Sequence, residues 1–238
     1  MRSIITALRI LGMVVSNAIL STSGLLYLPF DKKGRYYFWI GSRWSMFSLW
    51  LCRIKVDVKG REHIPANGNY IIVSNHASFF DIPAIMSVFT QARIMFKKEL
   101  SYIPLWGWAL RLGYHIMVDR GRSTQAMKSL ERAIGDIKAG GSVLLFAEGT
   151  RSRDGHLQPF KRGAFQMAAK TGVPILPVTL NGTFAIQPKG SFDIRPRTIE
   201  MVIGEPVATE GITTREGEIA LMKQVEGIFQ KNFRFIES

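Results

Sequence analysis

Between Arg9 and Asp31 the chain runs for 21 residues, 10–30, without a charged side chain. At about 1.5 Å per residue, a helix of that length covers the hydrocarbon thickness of a bilayer. The stretch is not uniformly apolar, because Ser16, Asn17, Ser21, Thr22, Ser23 and Gly24 interrupt it. A second apolar piece follows at residues 36–52, rich in tyrosine, phenylalanine and tryptophan, with only Arg43 charged. Aromatic side chains at that density suit a headgroup boundary, where a ring has one apolar and one wet end. The two pieces read as helices joined near residues 29–34, dipping into one leaflet or crossing and returning. Two other readings fit. A pair of buried core helices would ask a small domain to hide two such segments. A cleaved signal peptide would suit Arg2, Arg9 and the small residues at 21–24, but the apolar run continues to residue 30 and a second one follows.

The formal net charge is +13 over 238 residues, which calls for an anionic partner, either nucleic acid or an acidic membrane surface. Its distribution separates the two. Residues 1–61 hold ten Lys or Arg against Asp31 and Asp57, a local excess of +8. That excess flanks the most apolar part of the chain, as it does in proteins that sit on anionic lipid. Basic residues lie on both sides of residues 10–30, so charge assigns no orientation. A nucleic-acid binder interleaves aromatic and basic residues on an exposed face; here the aromatics concentrate in the apolar segment, and no nucleic-acid partner is expected. Cys52 is the single cysteine and forms no intrachain disulfide, and His63, His76, His115 and His156 have no metal-site spacing, so no metal is expected.

Beyond residue 53 the pattern changes to short strands and helices. Ile54, Val56 and Val58 alternate in a half-buried strand at 53–59, and residues 70–74 form a fully apolar one. Helices are expected at 78–88, 104–112, 123–139 and 214–232, and strands at 142–146, 174–180 and 198–203. Strands separated by helices imply an α/β fold with a mixed, partly parallel sheet flanked by helices. The expected organisation is an N-terminal pair of membrane-associated helices, residues 1–52, followed by a catalytic domain, residues 53–238.

The apolar strand at 70–74 delivers Asn75 and His76 to its carboxyl end, where sites form in open α/β sheets, and Asp81 follows five positions after His76. On one continuous helix that separation puts side chains about 140° apart. The two can meet if His76 lies in the turn and Asp81 in the first helical turn, with Ser78 as the N-cap. The carboxylate would then fix the imidazole tautomer while the other ring nitrogen takes a proton. Taken alone, the spacing is met more often by a capping aspartate beside an ordinary loop histidine. No G-x-S-x-G is present and Cys52 sits in the apolar segment, so such a pair would deprotonate a substrate hydroxyl for direct attack on an activated acyl group. A second polar cluster, Glu148-Gly149-Thr150-Arg151, ends another apolar strand; Gly149 permits close approach, and Thr150 and Arg151 offer phosphate donors, unless this is a plain polar turn. Lys97, Lys98 and Arg120 are candidates for further positive charge, against the simpler reading of solvated surface residues.

Taken in order, these segments resemble the glycerolipid acyltransferase family, specifically the bacterial 1-acyl-glycerol-3-phosphate acyltransferases. Asn75-His-Ala-Ser-Phe-Phe-Asp81 is similar to its N-H-x-x-x-x-D block, and residues 97–100 with Val118-Asp119-Arg120 to its second block. Phe146-Ala-Glu-Gly-Thr-Arg-Ser152 is similar to F-P-E-G-T-R-S, with Ala147 in place of proline, and Val173-Pro-Ile-Leu-Pro-Val178 to the fourth block. The resemblance implies His76 as base, Asp81 as its orienting partner, and Lys97 and Arg151 as phosphate ligands, with Arg120 a softer carry-over. It implies that Glu148, Gly149 and Thr150 form the glycerol-phosphate site. It also implies lysophosphatidic acid as acceptor and an acyl thioester donor, acyl-CoA or acyl-ACP, as co-substrate with no resident cofactor. Acyl carrier protein would be a partner in the second case. An N-terminal two-helix membrane motif at the cytoplasmic face of the inner membrane completes the expectation.

Overall fold

In a computed structural model of the chain, which describes residues 2–66, 68–119 and 123–237, the apolar N-terminus forms a helical pair. Helix α1 is Arg2–Tyr27 and α2 is Arg35–Leu51. Within Ser3–Phe30 an 18-residue stretch has mean hydropathy 1.8, and 11% of that stretch is buried. Among the described residues Ser3–Phe30 is the one helix long and apolar enough to cross a membrane. Helix α2 is different in kind. It packs on α1 and on the helix at Asp81–Val88, turning the small side chains Ser42, Ser45 and Ser48 inward. The connector between the helices is pinned: Asp31 Oδ2 accepts from the Tyr37 N–H at 2.8 Å, and the Tyr114 hydroxyl donates to the Asp31 carbonyl. Tyr37 also donates to the Ala109 carbonyl at 3.0 Å. A side chain at Gly113 would put its Cβ 2.4 Å from the Tyr37 ring, so only glycine allows this approach.

Strand β1 (Lys55–Lys59) follows, then β2 (Ile71–Ser74), α3 (Asp81–Val88), β3 (Arg93–Lys97), α4 (Trp106–Leu112) and β4 (Ile116–Val118). The second half contributes α5 (Ser123–Lys138), β5 (Val143–Phe146), α6 (Gly163–Thr171), β6 (Ile175–Asn181), α7 (Thr183–Ile186), β7 (Thr198–Ile203) and α8 (Arg215–Asn232). The strands form one seven-stranded sheet in the order β1-β7-β6-β2-β5-β3-β4. Five of them, β6, β2, β5, β3 and β4, are mutually parallel; β7 runs antiparallel to β6, and β1 follows β7. The sheet is therefore mixed and largely parallel.

Side-chain alternation sends Ile72, Leu144 and Leu176 to one face, where they pack with Phe80, Ile85 and Leu49. Ile71, Val143 and Ile175 face the other side, against Phe165, Val225 and Phe229 of α6 and α8. Each such fully buried side chain contributes about 1.5–3 kcal/mol, and both faces of β2 and β6 are buried along their whole length.

Two expectations need correction. Helix α3 starts at Asp81, not at 78, and Ser78 is not its N-cap: its hydroxyl accepts from the Phe80 N–H at 3.3 Å and donates to the Gln187 carbonyl at 3.0 Å, so it shapes the turn before the helix, where Asp81 takes the Ala77 and Ser78 amides. Strands β3 and β4 were not expected at all. Arg93-Ile-Met-Phe-Lys97 is short with charge at both ends, and Ile116–Val118 has three residues; neither carries a periodic signal long enough to separate strand from loop.

Candidate active site

Strands β2, β5 and β3 are adjacent and parallel, so their carboxyl ends emerge side by side. That places His76 after β2, Glu148 to Arg151 after β5, and Lys97 at the end of β3 along one edge of the sheet. Residues far apart in sequence thus meet for a topological reason.

Asn75 fixes the end of β2. Its side-chain amide donates to the Leu180 carbonyl at 2.9 Å and its oxygen accepts from the Leu180 N–H at 2.8 Å, continuing the ladder to β6. The next residue, His76, turns out of the sheet. Its Nδ1 lies 2.6 Å from Asp81 Oδ2, and the same oxygen accepts from the Ala77 and Ser78 N–H groups at 2.8 Å each. With Nδ1 donating to the carboxylate, Nε2 carries the free lone pair. Asp81 is fully buried, whereas the His76 side chain keeps 16% of its surface exposed, so one member holds and the other reaches. The imidazole lies flat on the Phe146 ring, with centroids 3.8 Å apart and planes at 12°.

The second cluster divides by position. Glu148 is buried, and its Oε1 accepts from the His76 N–H at 3.0 Å. Burial pushes its carboxyl up to about 7, in spite of the backbone donors of His76 and Gln158. Ser152 N–H donates to the His76 carbonyl at 2.7 Å, so both peptide groups of His76 are held by the β5 loop. Ala147 donates its own N–H to the Ser74 carbonyl at 3.0 Å, which a proline could not do. Gly149 has φ +73°, and a Cβ there would lie 3.0 Å from Lys161 Cδ, so the glycine serves both the turn and the packing of Lys161 over it.

Two cavities meet at His76 and Arg151, which line both. One, of about 240 Å³, is apolar and runs between α1, α2 and α3, with Leu20, Ile40, Gly41, Trp44, Phe79 and Met86 in its walls. His115 also faces it; burial and then Arg93 push that imidazole down to about 3, and its Nδ1 accepts from the Ile94 N–H at 3.1 Å. The other, of about 790 Å³, is lined by Lys97, Gly149, Thr150, Arg151, Lys161 and Lys189 among others. Helix α6 begins beside it at Gly163, with no acidic residue in its first turn.

Of the sequence candidates, His76, Lys97, Gly149, Thr150 and Arg151 face the cavities, while Asp81 and Glu148 lie behind His76 and hold it. Arg120 lies outside the described residues. Lys98 forms an ion pair with Asp119 at 2.9 Å. Sequence reading passed over Lys161 and Lys189. The signal was a lysine between Pro188 and Gly190, shortly after an apolar strand, but it points to the site only once β6 is known to run parallel to β2.

A family model described as Acyltransferase matches residues 55–181, more than half of the chain. The chain belongs to the Acyltransferase family. Among acyltransferases, a 1-acyl-sn-glycerol-3-phosphate acyltransferase of Pseudomonas aeruginosa is 36% identical over 190 residues, covering 77% of this chain and 72% of that one. A chloroplastic one of Brassica napus is 35% identical over 197 residues, 82% of this chain and 57% of that. The chain thus spans little more than half the length of this plant acyltransferase. Among solved structures, the 1-acyl-sn-glycerophosphate acyltransferase PlsC of Thermotoga maritima superimposes with a TM-score of 0.82 at 30% identity, over 98% of this chain and 96% of that one.

Proposed function

We propose that the chain transfers a fatty acyl group from an acyl thioester, acyl-CoA or acyl-ACP, to the sn-2 hydroxyl of a 1-acyl-glycerol-3-phosphate, giving phosphatidic acid. The observation that carries this reading is the position of the His76–Asp81 pair where an apolar cavity meets a cation-lined one. An acyl chain fits the first and a phosphate the second, which brings a hydroxyl and a thioester carbonyl together at the imidazole. The names of the similar proteins agree with it.

His76 Nε2 removes the proton from the acceptor hydroxyl as the oxygen bonds to the thioester carbonyl carbon. Asp81 accepts from the ring's other N–H and faces the positive charge as it develops. The tetrahedral intermediate collapses, the C–S bond breaks, and the leaving thiolate takes the proton from the imidazolium. Lys97 and Arg151 hold the phosphate so that hydroxyl and base are aligned, which contributes by positioning. As proposed, these steps call on side chains alone.

Membrane attachment belongs to the same proposal. Helix α1 exposes Ile4, Leu8, Leu11, Val15 and Ile19 on one side, a stripe suited to lipid tails. Its opposite side contributes Leu20 to the apolar cavity, so an acyl chain could pass from the bilayer into the site. The same proposal sets the protein at the inner membrane, with the catalytic domain on the cytoplasmic face.

Acyl transfer to lysophosphatidic acid by the detergent-solubilised protein, with each donor in turn, tests the reading. Phosphatidic acid is expected from wild type, and a loss of about 10²–10⁴-fold in rate from His76→Ala. Folded wild type making no phosphatidic acid with either donor would overturn it.

A further inference from the structure

Four cationic side chains line the larger cavity, among mostly apolar neighbours: Lys97 at the end of β3, Arg151 after β5, Lys161 before α6, and Lys189 after α7. Among the described residues none of the four forms an ion pair with a carboxylate. Converging cations without counter-charge repel one another, and such an arrangement persists where an anion neutralises it. Lys189 feels the crowding. Partial loss of water, then Arg153, Arg151 and Lys97, hold its ammonium below the usual lysine range.

Lys189 is also placed by geometry. Its Nζ donates to Thr150 Oγ1 at 3.3 Å and to the Arg151 carbonyl at 3.2 Å, which leaves one of its three N–H donors for a ligand. Two residues earlier, the Gln187 carbonyl accepts from the Ser78 hydroxyl at 3.0 Å, so this segment straps the His76 loop to the Arg151 loop. Lys161 also reaches this loop: a Cβ added at Gly149 would lie 3.0 Å from its Cδ and 3.3 Å from its Nζ.

We propose that Lys161 and Lys189 join Arg151 and Lys97 in binding the acceptor's phosphate, and that this surplus of cations selects a phosphomonoester headgroup over a phosphodiester one. The inference rests on the acyltransferase reading above and adds to it the basis of acceptor choice. A monoester carries close to two negative charges at neutral pH and three terminal oxygens. A diester carries one charge and two such oxygens. Four cationic side chains lining one cavity match the first and leave cations unneutralised around the second, which is discrimination by uncompensated charge.

The test has two parts. Steady-state kinetics with lysophosphatidic acid and lysophosphatidylglycerol compare wild type, Lys189→Gln, Lys189→Arg and Lys161→Gln, with the exposed Lys170→Gln as control. Each Gln variant at the site is expected to raise KM for lysophosphatidic acid on the order of 10-fold. The preference over lysophosphatidylglycerol should shrink by a similar factor. Lys189→Arg should recover most of the effect, and Lys170→Gln should match wild type. Unchanged KM and unchanged preference in both Gln variants would overturn the proposal, as would a fall in kcat alone. Amine acetylation of wild type, quantified residue by residue with and without glycerol 3-phosphate, gives a readout that needs no turnover. Protection of Lys161 and Lys189 but not Lys170 supports the anion site even if wild type fails to acylate lysophosphatidic acid, the result that would sink the proposed function. Absence of protection in an enzyme that does acylate it overturns the inference alone.

Discussion

On Asp81 Oδ2 three donors converge, the His76 ring and the Ala77 and Ser78 amides, so one carboxylate oxygen both shapes the loop and orients the base. Glu148 does the corresponding work from behind, through the His76 N–H. It does so at a cost, because its other oxygen is buried with no donor among the described residues. The sign follows from the raised value. The unfolded carboxyl loses its proton near its ordinary value of 4.5 while the folded one keeps it to about 7. Its stabilising contribution is full below pH 4.5 and is lost as pH rises through 7, a change on the order of 3 kcal/mol. Glu148→Gln keeps an acceptor for the His76 N–H and cannot ionise. Denaturant melts between pH 4.5 and 8 are expected to show a smaller decline of stability in the variant, which becomes at least as stable as wild type at pH 8. Equal slopes in the two proteins would mean that Glu148 ionises freely in the fold.

The elements that make the site are short, and they act through their ends. Strand β2 has four residues, yet it sits between β5 and β6, ties its end to β6 through Asn75 and turns His76 outward. Because β2 stops at Ser74, the Leu180 peptide in β6 would lack a ladder partner, and the Asn75 amide supplies one. Asn75→Ala leaves a buried N–H and a buried carbonyl unmet, costing about 2–4 kcal/mol. Thermal unfolding in detergent should register a drop of about 5–10 °C, whereas a shift within a degree of wild type would mean that the strand end closes without the amide. Much at this scale was legible in sequence: β2, β5, β6 and β7 announce themselves as apolar runs, and α5 and α8 as amphipathic ones. Strands β3 and β4 were not, because strands of three to five residues, one of them with charged ends, owe their conformation to pairing with neighbours. The start of α3 was misplaced for a related reason. A serine before an apolar run reads as a cap, but here its oxygen takes the Phe80 amide inside the turn and the helix begins at Asp81.

At the scale of the whole molecule, the parallel strand order brings the chemistry to one edge and the N-terminal helices roof one side of it. Helix α2 is as much a wall of the apolar cavity as an anchor, since Ile40, Gly41 and Trp44 line it while Trp39 and Trp50 stay exposed. The sequence carried the apolar length and the aromatic belt; it could not carry this division of one helix into two faces, which depends on what α3 presents. Nor could it pair Lys189 with Arg151, because that contact needs β6 beside β2. Direct attack at His76 is the claim on which the rest depends. Initial rates of the solubilised enzyme, measured over a grid of donor and acceptor concentrations, test it most directly, with the protein's mass recorded after exposure to donor alone. Intersecting double-reciprocal lines and an unchanged mass are the expected result. Parallel lines with a mass gain of one acyl group would reveal a covalent acyl-enzyme, and would contradict a base that acts on the acceptor hydroxyl itself.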